Sequence, residues 1–205
     1  MGCRREWRFS CGLWGRRDED GNFYPADLRG LGHGFARINT DTSEMKSYPS
    51  FDVEGIALDD LLREWRWLVA GNFSLLAVNA FGDLFLADTN GRVHRLDITA
   101  GTVSEVASTL VAFRQASNDI AGKNDWFLEE LAGEAEQRGF SPRKGQCVGY
   151  KIPPMFKEST SKPDNAYVAD LYEYILFMGD LHQQIRDDPD GGQVRIKIQP
   201  RPKRS

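Results

Sequence analysis

The sequence lacks long apolar segments and paired cysteines, and each absence excludes a class of protein. No stretch approaches the roughly 20 apolar residues of a membrane span, and the basic N-terminus has no apolar run of signal-peptide length. We therefore expect a cytoplasmic protein with no membrane partner. Cys3, Cys11 and Cys147 form an odd set without metal-ligand spacing, which argues against a disulfide framework or a zinc site. A Cys3–Cys11 disulfide stays an open alternative.

Catalytic motifs are also missing. The sequence contains no HExxH, CxxC, GxSxG or Walker motif, and the glycines of residues 30–34 do not follow a convincing strand, so they are a weak phosphate-binding candidate. The three histidines, His33, His94 and His182, lie on different predicted elements. We therefore predict a protein that is not an enzyme and that uses no cofactor or metal.

A thiol enzyme that uses Cys147 remains as an alternative function. Cys147 is the best nucleophile candidate, with Asp180 and His182 as conceivable partners, because a thiolate needs a nearby base or cation to form at neutral pH. A cysteine inside a predicted strand is more often a small buried apolar residue.

Charge is present but unevenly distributed. The net charge of the whole chain is −4. Residues 1–17 carry +4 and residues 195–205 carry +5, so the remaining residues 18–194 carry −13. One interpretation is a soluble body with cationic ends. A second is an acidic surface that docks a basic protein, for which complementary charge raises the association rate. A third, less favoured, is nucleic-acid binding through the basic ends, including the tail PRPKRS.

The clearest structural pattern lies between residues 82 and 108. Three short apolar-rich runs are separated by Gly82-Asp83, Asn90-Gly91 and residues 99–101, which predicts a β-meander. A two-residue turn at Asn90-Gly91 pairs Ala87 with His94 and Phe85 with Leu96. The nearly continuous apolar run before the meander, residues 73–81, predicts a strand with both faces covered.

Apolar spacing predicts helices and further strands around this meander. A helix of about a dozen residues starts near Leu58, a short one is capped by Ser108, and a break follows at residues 117–123. We expect the remaining helices over 125–138 and around 175–185, and strands over 146–152, 167–171 and 194–198. This mixed order without regular βαβ units predicts an α+β fold, an antiparallel meander sheet packed with three to four helices.

Three regions follow from these patterns. Residues 1–57 form a Gly- and aromatic-rich extension, part of which we expect to pack as short strands on the main domain. Residues 58–198 form the main domain, and residues 199–205 form a basic tail.

Five segments in one order resemble the C-terminal domain of type VI secretion immunity proteins. They are LLREWRWL, AFGDLFLADTNGRVHRLDITAG, DWFLEEL, GQCVGYKIPP and GDLHQQIRDDPDG. The family pattern has a Trp-bearing helix, a GD-led hairpin, a Cys-x-x-Tyr-Lys-x-Pro-Pro strand and a Gly-x-x-His-x-Gln helix. The matching residues are Trp67, Gly82, Asp83, Gly91, Leu96, Asp97, Gly101, Cys147, Tyr150, Lys151, Pro153, Pro154, Gly179, His182 and Gln184.

The chain departs from that family in two places. A Met155–Thr160 loop stands where the family has Leu-Gly-Gly, and residues 1–57 do not match the upstream domain that often accompanies this module. Since glycine reaches backbone conformations that Lys and Glu avoid, the loop must differ in backbone, and we regard it as a candidate site of partner specificity.

The resemblance implies an immunity protein that binds a cognate effector toxin, with nucleases as one class of such toxins, and occludes its active site. An acidic inhibitor suits this role because a nuclease presents a basic surface to phosphates. On this hypothesis we expect the toxin to contact charged residues of the turns, the loop and the late helix end. They are Asp83, Asp88, Asp97, Lys157, Glu158, Asp187, Asp188 and Asp190.

Overall fold

The computed structural model describes residues 52–160 and 165–187, together with the strands at 6–10, 15–17, 23–25 and 193–197. Statements about structure below refer to these residues. The strands are β1 (Glu6–Ser10), β2 (Gly15–Arg17), β3 (Phe23–Pro25), β4 (Phe73–Val78), β5 (Leu84–Asp88), β6 (Val93–Asp97), β7 (Thr102–Ala107), β8 (Gln146–Tyr150), β9 (Ala166–Asp170) and β10 (Gln193–Lys197). The helices are α1 (Leu58–Leu61), α2 (Leu110–Asn118), α3 (Ile120–Asp125), α4 (Glu129–Gln137) and α5 (Leu171–Ile185), with a 3-10 helix at Arg63–Trp65.

The architecture is α+β, as predicted. Strands β4 to β7 form a four-stranded antiparallel meander, and β8 pairs with β9. Strand β1 pairs antiparallel with β10, so part of the N-terminal region does contribute a strand to the main body. Ile196 of β10 is buried in the largest apolar core. None of the described helices combines the length and apolarity that crossing a membrane requires.

Strand β5 lies inside the four-stranded sheet, and its side chains enter two separate apolar cores. Leu84 and Leu86 pack in a core with Ile175 of α5, whereas Phe85 packs with Phe113 of α2 and with Phe127. A strand covered on both faces is a continuous apolar run, and LFLA matches that pattern. The sheet therefore lies between two layers. One is formed by α1, the 3-10 helix and α5, and the other by α2 and α3 with the neighbouring α4, whose Ala132 packs against Phe81 and Val148.

We expected a strand over 73–81 with both faces covered, and the two covered faces are confirmed, although the strand is shorter and less deeply buried than its composition suggested. Strand β4 ends at Val78 and lies at the edge of the sheet, with Ser74 exposed and most of its other side chains only half-buried. Phe73, Leu75 and Val78 pack against the core on one face, whereas Leu76 and Ala77 pack in the core on the other. Strand β5 differs in that Leu84 to Ala87 are all buried.

The predicted hairpin register was wrong by one residue. The observed pairs join Ala87 to Val93 and Phe85 to Arg95, because the loop contains three residues. The Asp88 carboxylate accepts hydrogen bonds from the backbone N–H groups of Asn90 and Arg92, which stabilises the longer turn. Gly91 takes the left-handed conformation, with φ of 80°, that such a loop requires.

The helix predicted from Leu58 is much shorter than a dozen residues. Helix α1 covers four residues, and the 3-10 helix follows it. The Trp67 indole donates to the Glu64 carbonyl at 2.9 Å and thereby occupies the acceptor that would continue an α-helix to Leu68. The Trp65 indole donates to the carbonyl of Ile175, which fixes this segment on α5.

Several element ends also differ from expectation. Thr109, rather than Ser108, caps α2 through a hydrogen bond from Ala112 N–H, and much of the predicted break at 117–123 is helical. Helix α4 begins only at Glu129, because Leu128 adopts a left-handed φ of 54°. Strand β8 stops at Tyr150, two residues early. The predictions of β9, α5 and β10 are confirmed within a few residues.

Gly101 allows the β6–β7 turn to touch α5. It has φ of 68°, and a Cβ placed on it would lie 2.3 Å from Nδ1 of His182. The His182 ring cannot move aside freely, because Nε2 contacts the Ile98 carbonyl at 3.1 Å and the ring packs on Trp65. A side chain at Gly101 would therefore separate the turn from the helix.

We expect Gly101→Ala to lower the free energy of unfolding by about 3 kcal/mol, through backbone strain and displacement of His182. Gly91→Ala is the matched control: its φ is similarly positive, but open space surrounds the added methyl. The control should lose only about 1 kcal/mol in urea titrations. Equal losses in the two variants would contradict the close contact.

Candidate functional site

The largest group of exposed carboxylates lies on the helical layer α3 to α4. Between residues 119 and 136 the chain has six acidic residues and one lysine. All six acidic residues are exposed, so they can meet a partner. We call them the acidic helix surface: Asp119, Asp125, Glu129, Glu130, Glu134 and Glu136.

Exposed apolar side chains accompany this acidic helix surface on the same helical layer. Ile120, the first residue of α3, is 80% exposed, and Val111 of α2 is 65% exposed. Helices α2 and α3 contact each other closely, since a Cβ on Gly122 would lie 1.9 Å from the carbonyl oxygen of Ala116. Exposed aliphatic residues beside like-signed charges are a composition that suits protein recognition.

A second candidate region is the loop after β8, which departs from the immunity-family pattern. Phe156 is buried, and the Asn165 side chain donates to the carbonyls of Ile152 and Thr160 and accepts from Ile152 N–H. These contacts fix the loop backbone. Lys157 and Glu158, next to the buried anchor, are exposed.

The charged residues predicted to contact a partner are scattered. Lys157 and Glu158 lie on the fixed loop, and Asp187, whose side chain is 85% exposed, pairs with Arg186 at the end of α5. Asp88 is occupied by the hairpin turn, and its side chain is only 19% exposed. Asp188 and Asp190 lie outside the described residues.

Asp83 and Asp97, also predicted as partner contacts, come together inside the structure. Both contact Arg95 of β6, at 2.6 and 3.4 Å. Asp83 is buried, and its carboxylate also accepts from the Asn79 amide and from Ile98 N–H. We therefore leave Asp83 out of the candidate surface.

The acidic helix surface was absent from our expected partner contacts, although its signal was in the sequence. The helix predicted from Asp125 already placed Glu129, Glu130, Glu134 and Glu136 away from its apolar side. Six carboxylates against one lysine between residues 119 and 136 separate this segment from the rest of the body, although Glu134 pairs with Arg138 just beyond it. Our expectation followed the resembling segments instead.

Cys147 does not have the surroundings of a nucleophile. It is buried, and burial followed by the charge of Asp170 raises the pKa of its thiol far above the usual range. His182 contacts Ile98 and Gly101, and burial lowers the pKa of its imidazole to about 4. Within the part of the chain that the structure describes, no group of three or more His, Cys, Asp or Glu side chains is arranged to hold a metal ion.

No protein-family model matches this sequence, and no curated protein matches it either. A function must therefore be inferred from the surfaces of the molecule.

The Cys147 environment predicts slow thiol chemistry. In a Cys3→Ser/Cys11→Ser background, where Cys147 is the single thiol, we expect a disulfide reagent at pH 8 to label the folded chain roughly 100-fold more slowly than the urea-unfolded chain. Burial disfavours the thiolate and blocks access. Labelling at the same rate in both states would contradict this expectation and support the thiol enzyme.

The His182 environment predicts a neutral imidazole at pH 5. Because its pKa of about 4 in the folded state lies below the 6.5 of a solvent-exposed imidazole, its contribution to stability is complete above pH 6.5 and is lost as the pH falls towards 4. The full loss is about 3 kcal/mol. Ring ¹⁵N shifts should show no protonation of His182 at pH 5 while the unfolded chain titrates normally. A folded-state midpoint above 6 would refute the prediction.

Proposed function

We propose that this chain is an inhibitor of the immunity-protein type, which binds a cognate toxin with a basic surface and blocks its active site. The observation that carries the proposal is the acidic helix surface beside the exposed Val111 and Ile120. The resemblance of the five segments to immunity proteins is consistent with it. The proposed mechanism is binding alone, with no covalent step.

The physical basis is charge complementarity with a buried apolar contact. Carboxylates at the rim of an interface mainly raise the association rate and disfavour acidic partners. Apolar residues that become desolvated supply more of the affinity, as is typical of interface centres. Val111 and Ile120 are suited to that role because more than half of each side chain is exposed.

The chemistry of the partner follows from the sign of the surface. A nuclease must attract a polyanion, so its active-site cleft is positively charged. A set of carboxylates fixed on two short helices can occupy such a cleft in place of phosphates. We therefore propose a nuclease as the class of toxin.

The fixed loop after β8 provides a second contact in this proposal. Its Phe156 anchor and the Asn165 hydrogen bonds hold Lys157 and Glu158 in one arrangement before binding, which reduces the ordering cost of association. A loop of mixed charge is better suited to selecting among related toxins than to attracting basic proteins in general.

The test is binding to the toxin candidate encoded in the adjacent reading frame, measured by calorimetry and stopped-flow. We expect Glu129→Lys/Glu134→Lys to slow association about tenfold at low salt, with a smaller effect at high salt, because both substitutions reverse charge on the acidic helix surface.

Glu54→Lys/Asp59→Lys is the matched control. It changes the net charge equally at exposed positions before and within α1, on the other layer of the fold. This control should associate nearly as fast as the unmodified chain. Absence of any complex with the unmodified chain would refute the proposed function, and equal effects of the two variants would refute the role of the acidic helix surface.

A further inference from the structure

Three charged side chains meet where β5 begins and β6 ends. The Arg95 guanidinium contacts the Asp83 carboxylate through Nη2 at 2.6 Å and Nε at 3.2 Å, and the same Nη2 lies 3.4 Å from Oδ2 of Asp97. One cation therefore serves two carboxylates. With both ionised, this group, which we call the Asp83–Arg95–Asp97 cluster, carries one uncompensated negative charge.

The two carboxylates are not equally well satisfied. Asp83 accepts hydrogen bonds on both oxygens, from Ile98 N–H on Oδ1 and from Asn79 and Arg95 on Oδ2. For Asp97, Oδ1 accepts from the N–H groups of Thr99 and Ala100, whereas the described contact of Oδ2 is the long one to Arg95. An added proton is therefore least costly on Oδ2 of Asp97.

The cluster also joins the sheet to the opposite layer. Arg95 Nη1 donates to the Asp125 carbonyl at 2.9 Å, and the Asn79 amide donates to the Trp126 carbonyl at 3.0 Å. Both acceptors lie at the end of α3. The orientation of Arg95 thus decides how this helix end is held on the sheet.

We propose that the Asp83–Arg95–Asp97 cluster is a proton-sensitive clamp: Asp97 takes up a proton under mildly acidic conditions, which leaves Arg95 paired with Asp83 alone and strengthens its hold on the α3 end. The proton comes from solvent, since the Asp97 side chain is 27% exposed. One O–H bond breaks in hydronium, which becomes water, as one O–H bond forms on Oδ2 of Asp97.

The electrostatics of the surrounding elements support this clamp. Burial and then the charge of Asp83 raise the pKa of Asp97 to about 6, while Arg95 opposes the shift. Asp125 acts on Arg95 from α3, and Tyr150 faces both carboxylates from the end of β8. The pKa of the Tyr150 hydroxyl is raised, chiefly by burial, so it remains neutral here.

The sign of the effect follows from the raised pKa. Asp97 holds its proton more tightly in the folded chain than in the unfolded chain, where its pKa is near 3.8. The stabilisation of the folded state by this proton is therefore complete below pH 3.8. It is lost as the pH rises through about 6. His182 acts in the opposite direction over an overlapping range, so the unmodified chain alone does not isolate the clamp.

The experiment compares Asp97→Asn with the unmodified chain by urea unfolding at pH 7.5 and pH 5. Asn keeps an oxygen for the Thr99 and Ala100 N–H groups but carries no charge, so the variant should be the more stable at pH 7.5. Between pH 7.5 and pH 5, the ratio of the unfolding equilibrium constants of the two proteins should change about tenfold, in the direction that favours the folded state of the unmodified chain. The contribution of His182 is common to both proteins.

Asp187→Asn controls for the loss of one carboxylate, since Asp187 lies at the exposed end of α5. The same pH response in both variants would overturn the proposal, as would a ratio for Asp97→Asn that stays constant with pH. Carboxyl ¹³C shifts of Asp97 in the unmodified chain give an independent measurement. A midpoint near 6 is expected, and one near 3.8 would overturn the clamp.

Discussion

The buried carboxylate of Asp83 is the interaction on which the centre of this fold depends. It lies between β4 and β5, and it binds the backbone after β6 through Ile98 and the β6 side chain through Arg95. Asn79 completes the arrangement by accepting from the N–H groups of Phe81 and Asp83. Removing one partner of such a pair leaves an unpaired buried charge, at a cost of about 3–5 kcal/mol. The contact between the β4–β5 turn and the end of β6 and the position of the α3 end therefore share one electrostatic origin.

The close packing of the sheet on α5 explains why the residues that carry the resemblance to immunity proteins are mostly buried or half-buried. Asp83 and Cys147 are buried, Gly101 gives room to His182, and Gly179 lies against the Glu64 carbonyl, 2.7 Å from where its Cβ would be. Close packing constrains each of these residues, and the same constraint would apply to any chain with this arrangement of sheet and α5. The resembling residues therefore carry information about the fold, whereas under the proposed function the partner would be selected by side chains outside them.

The sequence predicted the features that depend on local chemistry and missed those set by tertiary contacts. The meander, the α5 helix and the α+β class followed from turn residues and apolar spacing. The hairpin register depended on how Asp88 bonds the turn, and the length of α1 depended on an indole of Trp67 bonding Glu64. Neither hydrogen bond has a periodic signature. The site was harder still: helical spacing placed Glu129 on an outward face, but no local pattern marked Asp83, in the predicted Gly82-Asp83 turn, as buried.

Under the proposed function, recognition and stability depend on different parts of the molecule. The core around β5 and α5 fixes the sheet, and the layer formed by α2 to α4 contacts it through Phe113, Phe127 and the Asp83–Arg95–Asp97 cluster. Substitutions on the outer side of that layer leave these contacts unchanged, so the surface can diverge at little cost in stability. A fold organised in this way can keep one core while its exposed charges adapt to different basic partners.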